Sequence, residues 1–279
     1  MISMFRANGN RLLRTTLTLS LLAAAPVAAS AQNLGLINEG VLSAGSDLIY
    51  PPYNYLEAGE AKGFDADLLD LIAPHMGVKV KFADTRFASL IPGLRSRRFD
   101  IIASALYVTQ ERAKVIDYVS YAKSGASLIV RTEADFSPQK AEDLCGKRVG
   151  SQQGAAWIPD LQKVSRACPS GSITIREFGT SAEAGQALIS GGVDVQIVDA
   201  GVGRAGVDNS GGRLRIASNG LLYPIVIGFG VSKDNPALFK SLQSGLDAVD
   251  AGGKLQPLLD RYNLAKPTQA EIDASLGKV

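Results

Sequence analysis

Strand-like and helix-like segments alternate along this chain, break off near its middle and then begin again. That doubled rhythm restricts the fold more than any other feature. The first run holds "GFDADLLDLIAPHMG", in which Leu68, Leu71, Ile72 and Met76 fall at helical spacing and a glycine closes the pattern. "VKVKFA" follows as an alternating, half-buried strand, then "FASLIPGLRSRRFD" as a helical turn and "IIASA" as a strand. The second run is "KRVGSQQG" (strand and turn), "AAWIPDLQKVSRAC" (helix), "ITIREFG" (strand), "SAEAGQALISGG" (helix) and "VDVQIVD" (strand). Such alternation implies mostly parallel sheets covered on both faces, and two runs imply two lobes. Two further strand-like segments, "SYAKSGASLIVR" and "LLYPIVIGFGVS", have no helix of their own, and after the second the chain ends in two helical patterns. If both cross between lobes, the first lobe is discontinuous and the crossings form a hinge. The tail from Ala265 is polar and is expected to be loosely held.

The start of the chain sets the compartment. Arg6, Arg11 and Arg14 precede an apolar run from Thr15 to Ala25, and Ala29-Ser30-Ala31 follows, the pattern of a secretory signal peptide cut after Ala31. No cysteine sits near that cut to carry a lipid anchor, and no later apolar run has the ~18 residues of a membrane helix. Removing three arginines from 29 Lys+Arg leaves 26 against 27 Asp+Glu, so the mature charge is about −1 and nucleic acid is not an expected partner. In an oxidising compartment the only cysteines, Cys145 and Cys168, read first as a disulfide, with two buried thiols as the alternative. Two cysteines and one distant histidine, His75, make neither a metal site nor a hydrolytic centre. No cofactor is expected, because the glycines near Gly201 and Gly206 do not form a dinucleotide or phosphate-loop fingerprint.

Ligands of open α/β sheets collect beyond the carboxyl ends of the strands. The candidates there are Asp47 and Tyr50, Phe87, Ser104 to Tyr107 with Arg112, Gln152 to Trp157, and Asp199. Arginine offers a planar fork to a carboxylate, and aspartate accepts from an ammonium, so Arg112 and Asp199 facing one cleft would share a zwitterion. Blander roles stand beside these. Arg112 could pair with Glu111 or Asp117, Asp199 could cap a helix, Asp47 could close a turn before Pro51 and Pro52, and Trp157 could shield the disulfide.

"YPPYNY", "GFDADLLDLIA", "SLIPGLRSRRFDIIASALYVTQERAKVIDY", "DLCGKRVGSQQG" and "GGVDVQIVD" stand in this order over nearly the whole mature chain. Together they resemble the periplasmic solute-binding proteins of polar amino-acid ABC transporters. The resemblance implies a two-lobed type II binding-protein fold, with lobe 1 from about 32–123 plus 224–279 and lobe 2 from 124–223. It implies a monomer that captures a small zwitterionic solute between closing lobes and delivers it to an inner-membrane permease. Arg112, in the Thr-x-x-Arg motif, would clamp the α-carboxylate, helped by Ser104 and Ala105, and Asp199 would take the α-amine. Tyr50 and Phe87 would flank the ligand, Asp47 would be a further acceptor, and Gln153 and Ala156 would contribute from lobe 2. Two positions depart from the family pattern: Tyr107 stands where Ser or Thr is common, and Gly154-Ala155-Ala156 replaces a hydroxyl-bearing helix start. Each lost hydrogen bond to a charged group costs about 1.5–3 kcal/mol. With Tyr50, Phe87 and Trp157, the Tyr107 phenol would instead offer aromatic faces, which suit an opine-like conjugate or an ectoine- or betaine-like solute. A few dehydratases resemble the same fold, but Asp47 and Asp199 already have binding roles, so no enzymatic activity is expected.

Overall fold

The computed structural model describes residues 1–4, 33–169 and 171–278. The expected leader features, Arg6, Arg11, Arg14 and the cut after Ala31, lie outside the described residues. The strands are β1 (Val41–Ser46), β2 (Ile49–Tyr50), β3 (Asn54–Glu57), β4 (Glu60–Lys62), β5 (Lys79–Asp84) and β6 (Ile101–Ile102). They continue with β7 (Ile116–Arg131), β8 (Arg148–Gln152), β9 (Thr174–Phe178), β10 (Val195–Asp199), β11 (Leu214–Ile216) and β12 (Leu222–Ser232). The helices are α1 (Phe64–Met76), α2 (Leu90–Arg95), α3 (Gln110–Ala113), α4 (Ile158–Ala167) and α5 (Ser181–Ile189). After them come α6 (Ala200–Asp208), α7 (Pro236–Ala251), α8 (Leu255–Arg261) and α9 (Gln269–Ser275).

The main sheet runs in the order β5-β1-β6-β12-β7-β10-β8-β9, with β11 also beside β7. The trio β5-β1-β6 is parallel, and so is the trio β10-β8-β9. Between them, every pairing made by β12 and β7 is antiparallel. The doubled rhythm thus becomes two α/β lobes, each built on a parallel trio, joined through two long strands. Strand β7 pairs with β12 from Ile116 to Ala126 and with β10 from Ala126 to Ile129, so it passes from one trio to the other. The β7–β12 register shifts between Leu222 and Ile225, where Tyr223 adopts a φ of 48° ahead of Pro224. At the same level a Cβ on Gly125 would lie 2.8 Å from Leu221 Cβ and 3.0 Å from the Leu222 carbonyl. The two connecting strands therefore approach this closely only with glycine at position 125.

Helices α1, α4 and α5 form where the spacing of apolar residues predicts them. Helix α4 begins at Ile158, three residues later than Ala155, with a proline in its first turn, a position where the ring costs no hydrogen bond. The small sheet β2-β3-β4 has no alternating pattern to announce it. Its β3–β4 turn is made by Ala58 and Gly59, with φ of 51° and 84°, as a type I′ hairpin needs.

The tail is a correction to expectation. Residues Gln269–Ser275 form α9, capped by reciprocal hydrogen bonds between Thr268 and Glu271. Lys123 Nζ donates to Glu271 at 2.7 Å, and its amide donates to the Ala265 carbonyl at 2.8 Å. Ile272 and Leu276 pack against the apolar cluster that holds Leu90, Phe99 and Leu106. Polarity of the tail as a whole concealed a capping box and two apolar anchors at helical spacing.

Cys145 and Cys168 are joined, closing a loop with a sequence separation of 23. Replacing both by alanine is expected to lower unfolding free energy by about 3 kcal/mol through the freed unfolded chain. Urea unfolding of the variant beside the oxidised parent checks this. Equal midpoints at equal slope would show that the bridge constrains nothing.

Candidate functional site

The Thr109-to-Arg112 motif is a one-turn helix with its own cap. Thr109 sits in extended conformation ahead of α3, and its Oγ1 accepts from the Arg112 amide at 3.3 Å. This turn projects the Arg112 side chain along the end of β6. Its Nη1 donates to the Tyr107 carbonyl at 2.7 Å and its Nη2 to the Gly154 carbonyl at 2.9 Å, while the guanidinium lies 5.5 Å from the centre of the Phe87 ring. Burial lowers the Arg112 pKa from its ordinary value, a shift opposed by Tyr118 and Tyr107. A guanidinium has five N–H donors, and these two carbonyls occupy two of them.

The loop from Ala103 to Tyr107 is held from below by a residue that sequence reasoning placed only within a helix. Asp65, fully buried at the start of α1, accepts from the Ala105 amide at 2.8 Å, the Tyr121 hydroxyl at 2.6 Å and the Asn54 amide nitrogen at 3.0 Å. Ala105 takes a φ of 45°, in the left-handed region, which a non-glycine residue adopts at some cost. The Asp65 hydrogen bond stabilises that conformation, and with it the direction in which Leu106 and Tyr107 leave the sheet.

Tyr107 reaches across the cleft, and its hydroxyl donates to Asp199 Oδ2. Ser124 Oγ donates to the same oxygen at 2.8 Å, and the Gly201 amide donates to Oδ1 at 2.8 Å, so Asp199 caps α6. The Tyr53 hydroxyl lies 3.4 Å from Ser124 Oγ. Asp199 is 0% exposed. Both the proposed amine acceptor and the bland helix cap therefore fall on one residue, and the cap is the role this geometry displays.

Asp47 is likewise engaged. Arg86 Nη1 stands 2.8 Å from its Oδ1, and the Phe87 amide and Gln152 Nε2 each donate to Oδ2 at 3.1 Å. Its own amide donates to Ser104 Oγ at 3.0 Å. Gln152 Oε1 in turn accepts from Ser181 Oγ at 3.0 Å. Asp47 thus fixes the Phe87 turn and reaches across to the end of β8.

Between these groups lies a cavity of about 20 Å³. Tyr50, Phe87, Ala105, Tyr107 and Arg112 line it from one side, and Gln152, Ala155, Ala156 and Trp157 from the other. All nine fall within the candidate segments at the strand ends, and six of them, Tyr50, Phe87, Ala105, Tyr107, Arg112 and Ala156, are positions expected to touch ligand. Ser104, Asp47 and Asp199 lie behind the lining, buried in the contacts above. Gln153 is exposed and outside the lining; Gln152 takes that place, because a shift of one residue at a strand end reverses the face. Trp157 lines the cavity too, its Nε1 donating to Ser151 Oγ at 2.8 Å and its ring edge-on to Tyr107 at 5.7 Å.

Burial pushes the carboxyl of Asp199 up, and hydrogen bonds from Tyr107 and Ser124 oppose it. Asp65 and Asp47 are raised by the same cause. Between an ordinary carboxylate pKa and a raised one, the folded protein holds protons that the unfolded chain has released, so stability falls as pH rises through that window. The opposite contribution of Asp194, held down by Arg148, is lost only as pH falls below the ordinary range. Urea unfolding is therefore expected to show stability declining as pH rises above the ordinary aspartate range, about pH 4, and declining less in Asp199→Asn. An equal decline in both proteins would remove Asp199 as its source.

The family model for bacterial extracellular solute-binding proteins, family 3, matches residues 42–265. The L-arginine-binding protein of Pseudomonas aeruginosa is 28% identical over 232 residues, covering 78% of this chain and 86% of that protein. Among solved structures, an ancestral arginine-binding protein bound to arginine superposes with a TM-score of 0.74 at 30% identity, covering 80% of this chain and 98% of that one. An ancestral amino acid-binding protein described as a precursor of cyclohexadienyl dehydratase gives 0.70 at 27% identity, over 80% and 95% of the two chains.

Proposed function

Because the chain belongs to the bacterial extracellular solute-binding proteins of family 3, we propose that it captures a small amino acid or amino-acid derivative and delivers it to an ABC permease. The compartment is the periplasm, reached through the cleaved leader. The observation that carries this reading is Arg112: a capped turn aims its guanidinium into the cavity, where two donors are used and the others remain for a carboxylate. Tyr50, Phe87, Ala105, Tyr107, Gln152 and Ala156 are the surrounding ligand contacts in this proposal. Opines, ectoines and betaines fall within the same class, since each couples a carboxylate to substituted nitrogen.

The lobes are assigned as 32–123 with 224–279, and 124–223, which places their junction at the bend of β7 and β12. A cavity of about 20 Å³ holds roughly one water, so a solute enters only when the lobes part. The Arg112–Gly154, Gln152–Asp47 and Tyr107–Asp199 hydrogen bonds are cross-cleft contacts that separate on opening. A solute touching both sides then favours the closed form by differential affinity alone. The dehydratase-precursor neighbour raises an enzymatic alternative. Free acid–base groups would be required for it, whereas Asp47 and Asp199 are both committed to contacts within the protein.

A thermal-shift panel of amino acids, opines, ectoines and betaines tests the proposal. A ligand at 100 times its Kd adds about 2.7 kcal/mol of stability, visible as a raised Tm. Failure of every carboxylate-bearing solute to raise it would end the carboxylate reading.

A further inference from the structure

Asp199 is the carboxylate through which a zwitterion's ammonium would be expected to bind, and in the closed form it is covered by Tyr107. A carboxylate offers about four lone-pair sites. Here three are taken, by the Gly201 amide, Ser124 Oγ and the Tyr107 hydroxyl, and the group is 0% exposed. The Tyr107 ring itself lies between Asp199 and the cavity, since Tyr107 lines the cavity and Asp199 does not. Asp47, the other acid nearby, is 1% exposed and neutralised by Arg86. A ligand nitrogen bearing N–H groups would leave them facing aromatic rings, and an unpaired buried donor gives up its hydration without compensation.

Electrostatics nevertheless favour a cation at that end of the cavity. Among the described residues, no Lys or Arg lies within ion-pair distance of Asp199. Its charge is therefore balanced only by hydrogen bonds, one of them from the phenol that faces the ligand. A phenol donating to a carboxylate has a more electron-rich ring, and Tyr50, Phe87 and Trp157 add three further aromatic rings to the lining. Such faces attract a desolvated cation without asking it for a hydrogen bond.

We propose that Tyr107 seals the amine subsite and makes the protein select carboxylates whose nitrogen is a quaternary ammonium. The carboxylate sits on Arg112 and the alkylated cation packs against Tyr107, Tyr50, Phe87 and Trp157. This rests on the carboxylate reading of Arg112 above. Asp199 then acts through the Tyr107 ring, polarising it, and Tyr107 is the residue that sets specificity.

Calorimetric titration with glycine, glycine betaine and 3,3-dimethylbutanoate, which keeps the carboxylate of betaine but has a neutral tert-butyl group in place of its quaternary ammonium, separates the possibilities. The expected order places betaine at least about tenfold tighter than glycine, the difference that unpaired N–H groups impose, and tighter than the isostere. Tyr107→Ser, which uncovers Asp199, is expected to reverse the order of glycine and betaine. Tyr107→Phe keeps the ring in place and is expected to preserve it. Wild type binding glycine as well as betaine would overturn the inference, and so would the isostere matching betaine, because charge would then play no part. Reversal in Tyr107→Phe would equally overturn it. If none of the three binds and no other carboxylate does, it is the carboxylate reading of Arg112 that fails. Should Tyr107→Ser not fold, the wild-type series and Tyr107→Phe decide the matter alone.

Discussion

Alanine in place of Arg112 is expected to weaken binding of any carboxylate-bearing ligand by at least about 100-fold, from the loss of two charge-assisted hydrogen bonds at about 1.5–3 kcal/mol each. Thr109 caps α3, the capped turn fixes the Arg112 backbone, and the Tyr107 carbonyl holds one end of the guanidinium at 2.7 Å. A fork anchored in this way gives a carboxylate two parallel donors with little ordering cost at the moment of binding. Arg112 also bonds the Gly154 carbonyl across the cleft at 2.9 Å, so the same substitution removes one of the contacts that hold the lobes together. Lysine keeps the charge but replaces the fork with a point charge, and its deficit should fall between those of alanine and the parent. Calorimetry on all three proteins, with whichever solute raises the Tm of the parent, reads the effect directly. An alanine variant that binds within a fewfold of the parent would show that the carboxylate lies elsewhere.

What was legible in the sequence follows the range of the interactions concerned. Helix α1 and the strands β8 to β10 are written in local apolar spacing, and the Thr109–Arg112 cap spans three residues. The masking of Asp199 is not local: Tyr107 lies 92 residues from it in the chain and Ser124 lies 75. Sequence could show that a phenol stood where a small hydroxyl residue is common, which was the usable signal. It could not show that the phenol ends on the very carboxylate expected to take the ligand's amine. The exchange of Gln153 for Gln152 came from one residue of strand register, a scale at which pattern reading has no resolution. Helix α9 was missed because average polarity outweighed a four-residue capping signal.

Asp65 is the plainest case of a residue whose importance exists only in three dimensions, and it carries the other large expected effect. Its partners stand 11, 40 and 56 residues away, and all three, Asn54, Ala105 and Tyr121, approach it as donors. Substituting alanine leaves three buried donors without an acceptor, at about 1–3 kcal/mol each. Part of that loss is returned, because the burial that raises the Asp65 pKa is a cost the parent bears and the variant does not. The net destabilisation is expected to be about 3 kcal/mol or more, at the upper end for single substitutions. Asparagine separates charge from connectivity, for its carbonyl oxygen can still accept from Ala105 and Asn54 while its N–H₂ meets the Tyr121 hydroxyl, which can accept as well as donate. Asp65→Asn is thus expected to lose less than Asp65→Ala, measured by urea unfolding. The loss should extend to function, since the bond to Ala105 holds the left-handed residue from which Tyr107 is aimed. Ligand affinity of the folded fraction should therefore fall in Asp65→Ala, and less in Asp65→Asn, although Asp65 touches no ligand. An alanine variant that unfolds early but binds normally when folded would confine Asp65 to the core and detach it from the site.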